Sequence, residues 1–195
     1  MDDMFKYYKN ALTDSLCEEY KGYWRSNMNN KYELTKLALQ QQSLPHVMTY
    51  AYNGRGLTKK YLLDNFGNYI NGNEVFFDVE GVKGYTYSMW VGQRKKMFFV
   101  TEDVNAYLFC DDLSLEVSGS KCPTLYIGCK SNVSIYCNGY NTINVYLFDE
   151  SVLEIAEADE SCSITVLKYS DKCRVLEGEF CLSKKIKTFD KELRL

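Results

Sequence analysis

The second half of the chain repeats a pattern of alternating apolar residues about every 19 residues, and this repeat constrains the fold most. One column of the pattern recurs four times, at Ala106-Leu108-Cys110, Leu125-Ile127-Cys129, Ile143-Val145-Leu147 and Cys162-Ile164-Val166. A second column recurs every 20 residues, at Leu113-Leu115-Val117, Val133-Ile135-Cys137, Leu153-Ile155-Glu157 and Cys173-Val175-Glu177. A period of two indicates strands with one buried face. Two columns within one repeat predict a short parallel β-solenoid of about four 19-residue coils.

The segments between these strands are rich in residues that form corners. Asn138-Gly139-Tyr140-Asn141 is one example, because Gly and Asn adopt turn conformations at little cost. A β-sandwich with strands of equal length is the alternative fold, but a sandwich has no reason to repeat its apolar columns at this spacing. In the solenoid, we expect Cys110 and Cys129 to stack in adjacent coils. We also expect equivalent positions to lie in line on neighbouring parallel strands, namely Leu115, Ile135, Ile155 and Val175.

The first half has a different periodicity. Residues 4–23 and 31–42 carry apolar residues at helical spacing, with Asn30 as the cap of the second helix, and Thr58 is expected to cap a third. From Glu74 the period changes to two, which predicts a small antiparallel sheet. The fold class is therefore α+β and mainly β. The chain divides into a helical region over 1–72, a small antiparallel β cap over 73–103 and the β-solenoid over 104–195.

Aromatic side chains point outward from the first column. A stacked aromatic face of this kind is expected to be covered, since large exposed apolar patches usually mark interaction sites. The cover could come from the N-terminal half, from a second copy or from a protein partner. The last two possibilities make this surface a candidate binding face, formed by Tyr107, Phe109, Tyr126, Tyr146 and Phe148.

The charge distribution and the apolar pattern argue against nucleic acid and membranes as partners. Residues 1–100 carry 13 basic and 10 acidic side chains, whereas residues 101–195 carry 10 basic and 16 acidic ones. A nucleic-acid groove needs clustered positive charge, so no nucleic-acid partner is predicted. No apolar run reaches the length of a membrane span, and the opening MDDMFKYYKN is unlike a signal peptide. The chain is therefore expected in the cytoplasm of a bacterial host or in a virion.

The residue types that bind metals and cofactors are sparse or unsuitably spaced. The chain has one histidine, His46, and its eight cysteines contain no Cys-x-x-Cys pair, so no metal or cofactor is predicted. A glycine-rich loop before the third helix could hold an anion at the helix N-terminus, with Arg55, Lys59 and Lys60 as ligands. A capping loop without a ligand is the alternative interpretation.

Several strings outside the repeat carry a resemblance. They are GLTKKYLLDNFGNYING from Gly56, VEGVKGYTYSMWVG, and ALTDSLCEEYKGYW with LTKLALQQQ in the helical opening. With these strings and the repeat, most of the chain resembles a group of small uncharacterised proteins of gut Bacteroidetes and of their phages and prophages. The resemblance implies a phage or mobile-element accessory protein or a part of a virion, and it carries no catalytic residues.

These observations favour a protein that is not an enzyme. The predicted function is binding of a host or phage protein through the solenoid surface, either its aromatic face or its end, as an inhibitor or adaptor. A self-assembling structural component of a phage virion is the alternative. A small carbohydrate-active β-helix enzyme is the second alternative, although no convergent set of catalytic side chains is evident in the sequence.

Overall fold

The computed structural model describes residues 3–13, 16–40, 58–66, 74–82, 85–92, 97–100 and 103–191. In these ranges, the helices are α1 Asp3–Thr13, α2 Glu18–Ser26, α3 Lys31–Gln40 and α4 Lys59–Phe66. The first strands are β1 Glu74–Val82, β2 Tyr85–Gly92, β3 Met97–Val100, β4 Asn105–Cys110, β5 Leu113–Ser118 and β6 Thr124–Ile127. They are followed by β7 Asn132–Asn138, β8 Thr142–Leu147, β9 Val152–Ala158, β10 Ser163–Lys168, β11 Arg174–Cys181 and β12 Ile186–Asp190.

The strands form two sheets that enclose one apolar core. One sheet has the order β1-β2-β4-β6-β8-β10-β12 and the other has the order β11-β9-β7-β5-β3. Strands β4 to β11 make four coils, each coil supplying one strand to each sheet, and successive coils pair in parallel. The inward residues of both sheets pack into one cluster that includes Leu115, Ile127, Ile135 and Val166. The prediction of a parallel β-solenoid of about four coils is confirmed.

The register of the coils agrees with the sequence columns at the start and departs from them later. Leu115 pairs with Ile135 and Ile135 pairs with Ile155, as predicted. Val175, however, lies opposite Leu153 instead of Ile155. The displacement is two residues because later coils are longer than the early ones. A shift of two keeps every side chain on the same face, since side chains alternate with a period of two.

In the first two coils of the repeat, Cys129 departs from its predicted place in the inward column. Its φ of 56° lies in the left-handed region, and β6 ends before it, at Ile127. The position next to Cys110 is taken by Ser131, whose Oγ accepts a hydrogen bond from the Cys110 N–H at 2.8 Å. Cys110 and Cys129 therefore do not stack in the core.

The region predicted as a separate antiparallel cap is part of the solenoid stack. Strands β1 and β2 form an antiparallel hairpin, but β2 pairs in parallel with β4 and β3 pairs in parallel with β5. The described strands of 73–103 therefore do not form the separate antiparallel sheet that the sequence predicts; they extend the two solenoid sheets. Alternation alone identifies strands and carries no information on whether neighbours run parallel or antiparallel.

In the described N-terminal ranges, two helices stand where the sequence predicts one. The helix expected over residues 4–23 is two helices, α1 and α2, separated after Thr13. Thr13 begins the sequence Thr-Asp-Ser, and such side chains compete for backbone hydrogen bonds and favour helix ends. The predicted caps are confirmed: Asn30 Oδ1 accepts from the Glu33 N–H at 3.2 Å, and Thr58 Oγ1 accepts from the Tyr61 N–H at 3.1 Å. Across the described ranges, every helix is too short or too polar to cross a membrane.

Side chains at one corner of the solenoid bind the backbone of the neighbouring coil. Asp103 Oδ1 accepts from the Cys122 N–H at 2.6 Å, and Asn141 Oδ1 accepts from the Lys121 N–H at 2.8 Å. Asp159 Oδ2 accepts from the Gly139 N–H at 2.7 Å. Backbone groups at the corners have no partner in a neighbouring strand, so these bonds satisfy N–H donors that would otherwise lack an acceptor. We call this series the corner ladder.

Replacing Gly139 by alanine is expected to destabilise the protein more than the same change at Gly119. Both residues have a φ near 90°, which costs an alanine about 1–2 kcal/mol. Only at Gly139 would the new Cβ approach another backbone atom, the Gly119 O at 2.9 Å, whereas the Cβ at Gly119 meets nothing within 4 Å. Crowding of this kind adds about 1–3 kcal/mol. Urea unfolding of both variants measures the difference, and equal losses would contradict the close approach.

Candidate functional site

The predicted aromatic binding face lies under the N-terminal helices. Tyr107, Phe109, Tyr126 and Phe148 are buried and Tyr146 is half-buried on the outer surface of the seven-stranded sheet. They share one apolar cluster with helix residues that include Tyr7, Trp24 and Leu62. Of the three covers that the sequence allows for this face, the structure therefore has the one provided by the N-terminal half of the same chain. Four of the five predicted binding residues are therefore covered by the chain itself, and Tyr146 alone of the five keeps a partly exposed side chain.

The rings of this face form a ladder that follows the coils. Tyr126 stacks on Tyr107 with ring centroids 5.2 Å apart and on Tyr146 at 4.7 Å. Tyr169 continues the ladder, 6.2 Å from Tyr146 and 4.9 Å from Phe148. Burial raises the pKa of Tyr169 above its usual value. Stacked rings stabilise by about 0.5–1.5 kcal/mol per pair beyond their buried area, so the ladder stabilises the stacking of successive coils.

The predicted anion site is not assembled from its lysines. Lys59 Nζ binds the Asp111 carboxylate in the turn between β4 and β5, and Lys60 Nζ binds Asp64 Oδ2 at 2.7 Å within α4. Arg55 lies outside the described residues. Each lysine therefore has a carboxylate of the same chain as its partner, and Lys59 ties α4 to the solenoid instead of facing an anion.

Burial keeps three of the thiols, those of Cys129, Cys137 and Cys173, in their protonated form. Cys137 and Cys162 lie with their Sγ atoms 2.8 Å apart in the core, and burial raises the pKa of Cys137 far above the usual range. Burial also raises the pKa of Cys129 and of Cys173 to about 11 in each case. The Cys173 Sγ donates to the Asp149 backbone oxygen at 3.3 Å. The thiolate is the nucleophilic form, so these three cysteines are not activated for chemistry.

The two acidic residues after β8, Asp149 and Glu150, stabilise a turn. Asp149 is buried with a φ of 51°, and its Oδ1 accepts from the Lys130 N–H and from the Ser151 hydroxyl, each at 2.9 Å. Hydrogen bonds from Lys130 and Lys172 lower the pKa of Glu150. Within the described ranges, no three side chains among His, Cys, Asp and Glu come close enough to hold a metal ion.

One end of the solenoid presents open strand edges. Strand β11 pairs with β9 alone and β12 pairs with β10 alone, so in the described structure nothing is bound to their outer edges. The inward positions of the earlier coils are fully buried, whereas Val175 of β11 and Ile186 of β12 are only half-buried. Unpaired edges and a partly open core make this end suited to adding another strand.

Apolar side chains are exposed at this end. Phe180 is 71% exposed and Leu182 is 59% exposed, and Leu176 and Phe189 are also exposed. We call the outer edges of β11 and β12, together with these four residues, the terminal surface. The sequence analysis named the end of the solenoid as a possible binding region without naming its residues. The available signal was Phe180-Cys-Leu182, where apolar residues continue beyond the last predicted column.

Exposed lysines lie on and beside β12, whereas β11 carries the exposed acids Glu177 and Glu179. Residues 174–191 carry five basic side chains and three acidic ones, in contrast to the acidic second half as a whole. Lys184, Lys185, Lys187 and Lys191 are all exposed, while the acidic Asp190 already binds Lys168, with Oδ1 and Nζ 3.0 Å apart.

Comparisons of the chain with known protein families, with curated proteins and with solved structures give no match.

Proposed function

We propose that this protein is a non-catalytic binding module that holds a protein partner by its terminal surface. The observation that carries the proposal is the combination of two unpaired strand edges with exposed Phe180 and Leu182. An extended segment of a partner could add to an edge strand, gaining backbone hydrogen bonds while its side chains cover the apolar residues. Exposed aromatic residues of this kind contribute strongly to protein interfaces.

The charges indicate what kind of segment fits. The exposed lysines would attract acidic side chains, and like charges would repel a basic segment, so electrostatics favour a partner strand with mixed acidic and apolar residues. The sequence resemblance supplies the setting: we propose an inhibitor or adaptor of a host or phage protein, encoded by a phage or mobile element.

Substitution of the terminal surface tests this proposal. The double variant Phe180→Ser with Leu182→Ser is expected to keep the fold, because both side chains are exposed, and to lose its partner. Tyr140→Ser is the matched control, since Tyr140 is 79% exposed at the corner between β7 and β8 and is not part of the terminal surface. Each protein is immobilised and incubated with lysate from a gut Bacteroidetes host. A partner that the wild type retains is then purified and titrated against the wild type and both variants.

The expected result is a Kd at least tenfold higher for the double variant and an unchanged Kd for Tyr140→Ser. Circular dichroism and thermal unfolding check that all three proteins are folded. If the double variant binds the purified partner as tightly as the wild type, the terminal surface is not the binding site and the proposal is overturned.

A second candidate function rests on the sheet order. The five-stranded sheet has β11 at one edge and β3 at the other, so a second copy could continue the sheet end to end, as a self-assembling structural component would. Light scattering at increasing protein concentration distinguishes this candidate. Growth of the mass beyond the monomer, abolished by the Phe180→Ser and Leu182→Ser changes, would favour self-assembly over a separate partner.

A further inference from the structure

A cavity lies among the N-terminal helices, away from the terminal surface. It has a volume of about 240 Å³ and is lined by residues of α1, α2 and α3 and of the turn after α2. Its buried side chains are Met4, Trp24 and Leu34. Pockets that hold drug-sized ligands span about 300–1,000 Å³, so this cavity suits a smaller molecule.

The apolar lining of the cavity is rigid at its base and open at its mouth. The Tyr8 ring stacks on Trp24 with centroids 4.8 Å apart and an interplanar angle of 21°. Phe5 and Met28 line the same cavity and are 49% and 71% exposed. Exposed apolar side chains beside an apolar cavity leave surface that a ligand can cover, and stacked rings offer a flat contact that needs no reorganisation.

The charges at the cavity are all positive among the described lining residues. Arg25 and Lys31 line it and are exposed, and no Asp or Glu of the described ranges does so. Lys31 Nζ also donates a hydrogen bond to the neutral Asn65 Oδ1 at 3.3 Å, which leaves its positive charge in place. A third cation, Lys9, lies with its Nζ 5.2 Å from the centroid of the Phe5 ring. The nearby acid Glu18 binds Lys21, with Oε1 and Nζ 2.6 Å apart. A guanidinium and an ammonium match the charged end of an amphipathic anion, and the apolar lining of the cavity matches its other end.

We propose that this cavity binds a small amphipathic carboxylate. Its apolar chain or ring would lie against Trp24 and between Phe5 and Met28, and its carboxylate would accept hydrogen bonds from Arg25 and Lys31. The site is independent of the proposed docking of a protein partner, because none of its residues belongs to the terminal surface.

Isothermal titration of the full chain with three eight-carbon probes tests the proposal. Octanoate, octan-1-ol and octylammonium share the apolar chain and differ in charge. Octanoate is expected to bind with a Kd at least tenfold lower than octylammonium, with octan-1-ol between them. The double variant Arg25→Gln with Lys31→Gln is expected to weaken octanoate at least tenfold and to leave octan-1-ol unchanged.

The control variant, Lys184→Gln with Lys185→Gln, removes two exposed lysines far along the chain and is expected to leave octanoate binding unchanged. Phe5→Ala should weaken octanoate and octan-1-ol alike, because Phe5 contributes only apolar surface. Absence of octanoate binding overturns the proposal. Equal affinity for all three probes, or wild-type octanoate affinity in the Arg25→Gln and Lys31→Gln variant, also overturns it.

Discussion

Replacing Phe109 by alanine is expected to lower the free energy of unfolding by about 3–5 kcal/mol, the range for removal of a buried aromatic side chain. Phe109 is 0% exposed and lies between the seven-stranded sheet and the helices. The helices have no way to refill the space fully, because Tyr107 and Phe148 are already packed against them. Denaturant unfolding followed by circular dichroism measures the loss.

The control for this prediction is Phe180→Ala, which removes the same side chain from the terminal surface and should cost less than about 0.5 kcal/mol. Tryptophan emission, measured in a Trp90→Phe background so that it reports Trp24 alone, adds a local measurement, since Trp24 belongs to the same cluster as Phe109. A red shift in the native Phe109→Ala variant is expected as the cover loosens. Equal stability losses in the two variants would show that the helices do not depend on this face.

Replacing Ile135 by alanine is expected to cost about 2–5 kcal/mol. Ile135 is fully buried between the two sheets, with Leu115 and Ile155 on either side of it in the same column. Neighbouring coils are fixed by their backbone ladders, so the cavity left behind cannot collapse easily. Thermal and urea unfolding should agree on the loss.

Leu176→Ala is the matched control for Ile135→Ala. Leu176 has the same number of carbon atoms in its side chain, but it is exposed on β11. Its loss should change the free energy of unfolding by less than about 0.5 kcal/mol. A small effect at Ile135 would contradict a core enclosed between two stacked sheets.

The sequence predicts which side chains point inward far better than which residues pair. Ile143, Val145, Ile164 and Val166 are all buried as predicted. Ile164, however, lies opposite Ile143 instead of the predicted Val145, and Leu125 lies opposite Val145 instead of the predicted Ile143, a displacement of two residues in each case. A face follows from local alternation alone, whereas pairing depends on how many residues each corner loops out, which apolar spacing does not record.

Two further errors have the same origin in nonlocal contacts. Alternation identified the strands before residue 104, but the direction in which β2 and β3 pair is set by the coil that follows them. The aromatic face was identified correctly as outward from the core column, yet its cover depends on contacts such as those of Trp24 with this face, more than 80 residues away in sequence. Periodicity within a short window contains no information of this kind.

The candidate site was the least accessible to sequence reasoning. Phe180 and Leu182 continue the alternating composition of earlier coils, so the sequence does not distinguish them from covered residues. Their exposure follows from the position of β11 at the sheet edge, which is a property of the whole stack. The helical cavity likewise needs three helices to come together before Arg25 and Lys31 lie beside Trp24.

The corner ladder sets how such a molecule can change in size. Asn141 reaches back 20 residues to the Lys121 N–H, and Asp159 reaches back 20 residues to the Gly139 N–H. A tandem duplication of one whole interior coil would give the inserted copy a tether both above and below it. An insertion of half that length would leave a backbone donor untethered and would place each following strand in the wrong sheet. Growth or shrinkage of this architecture during evolution is therefore quantised in complete turns of the chain.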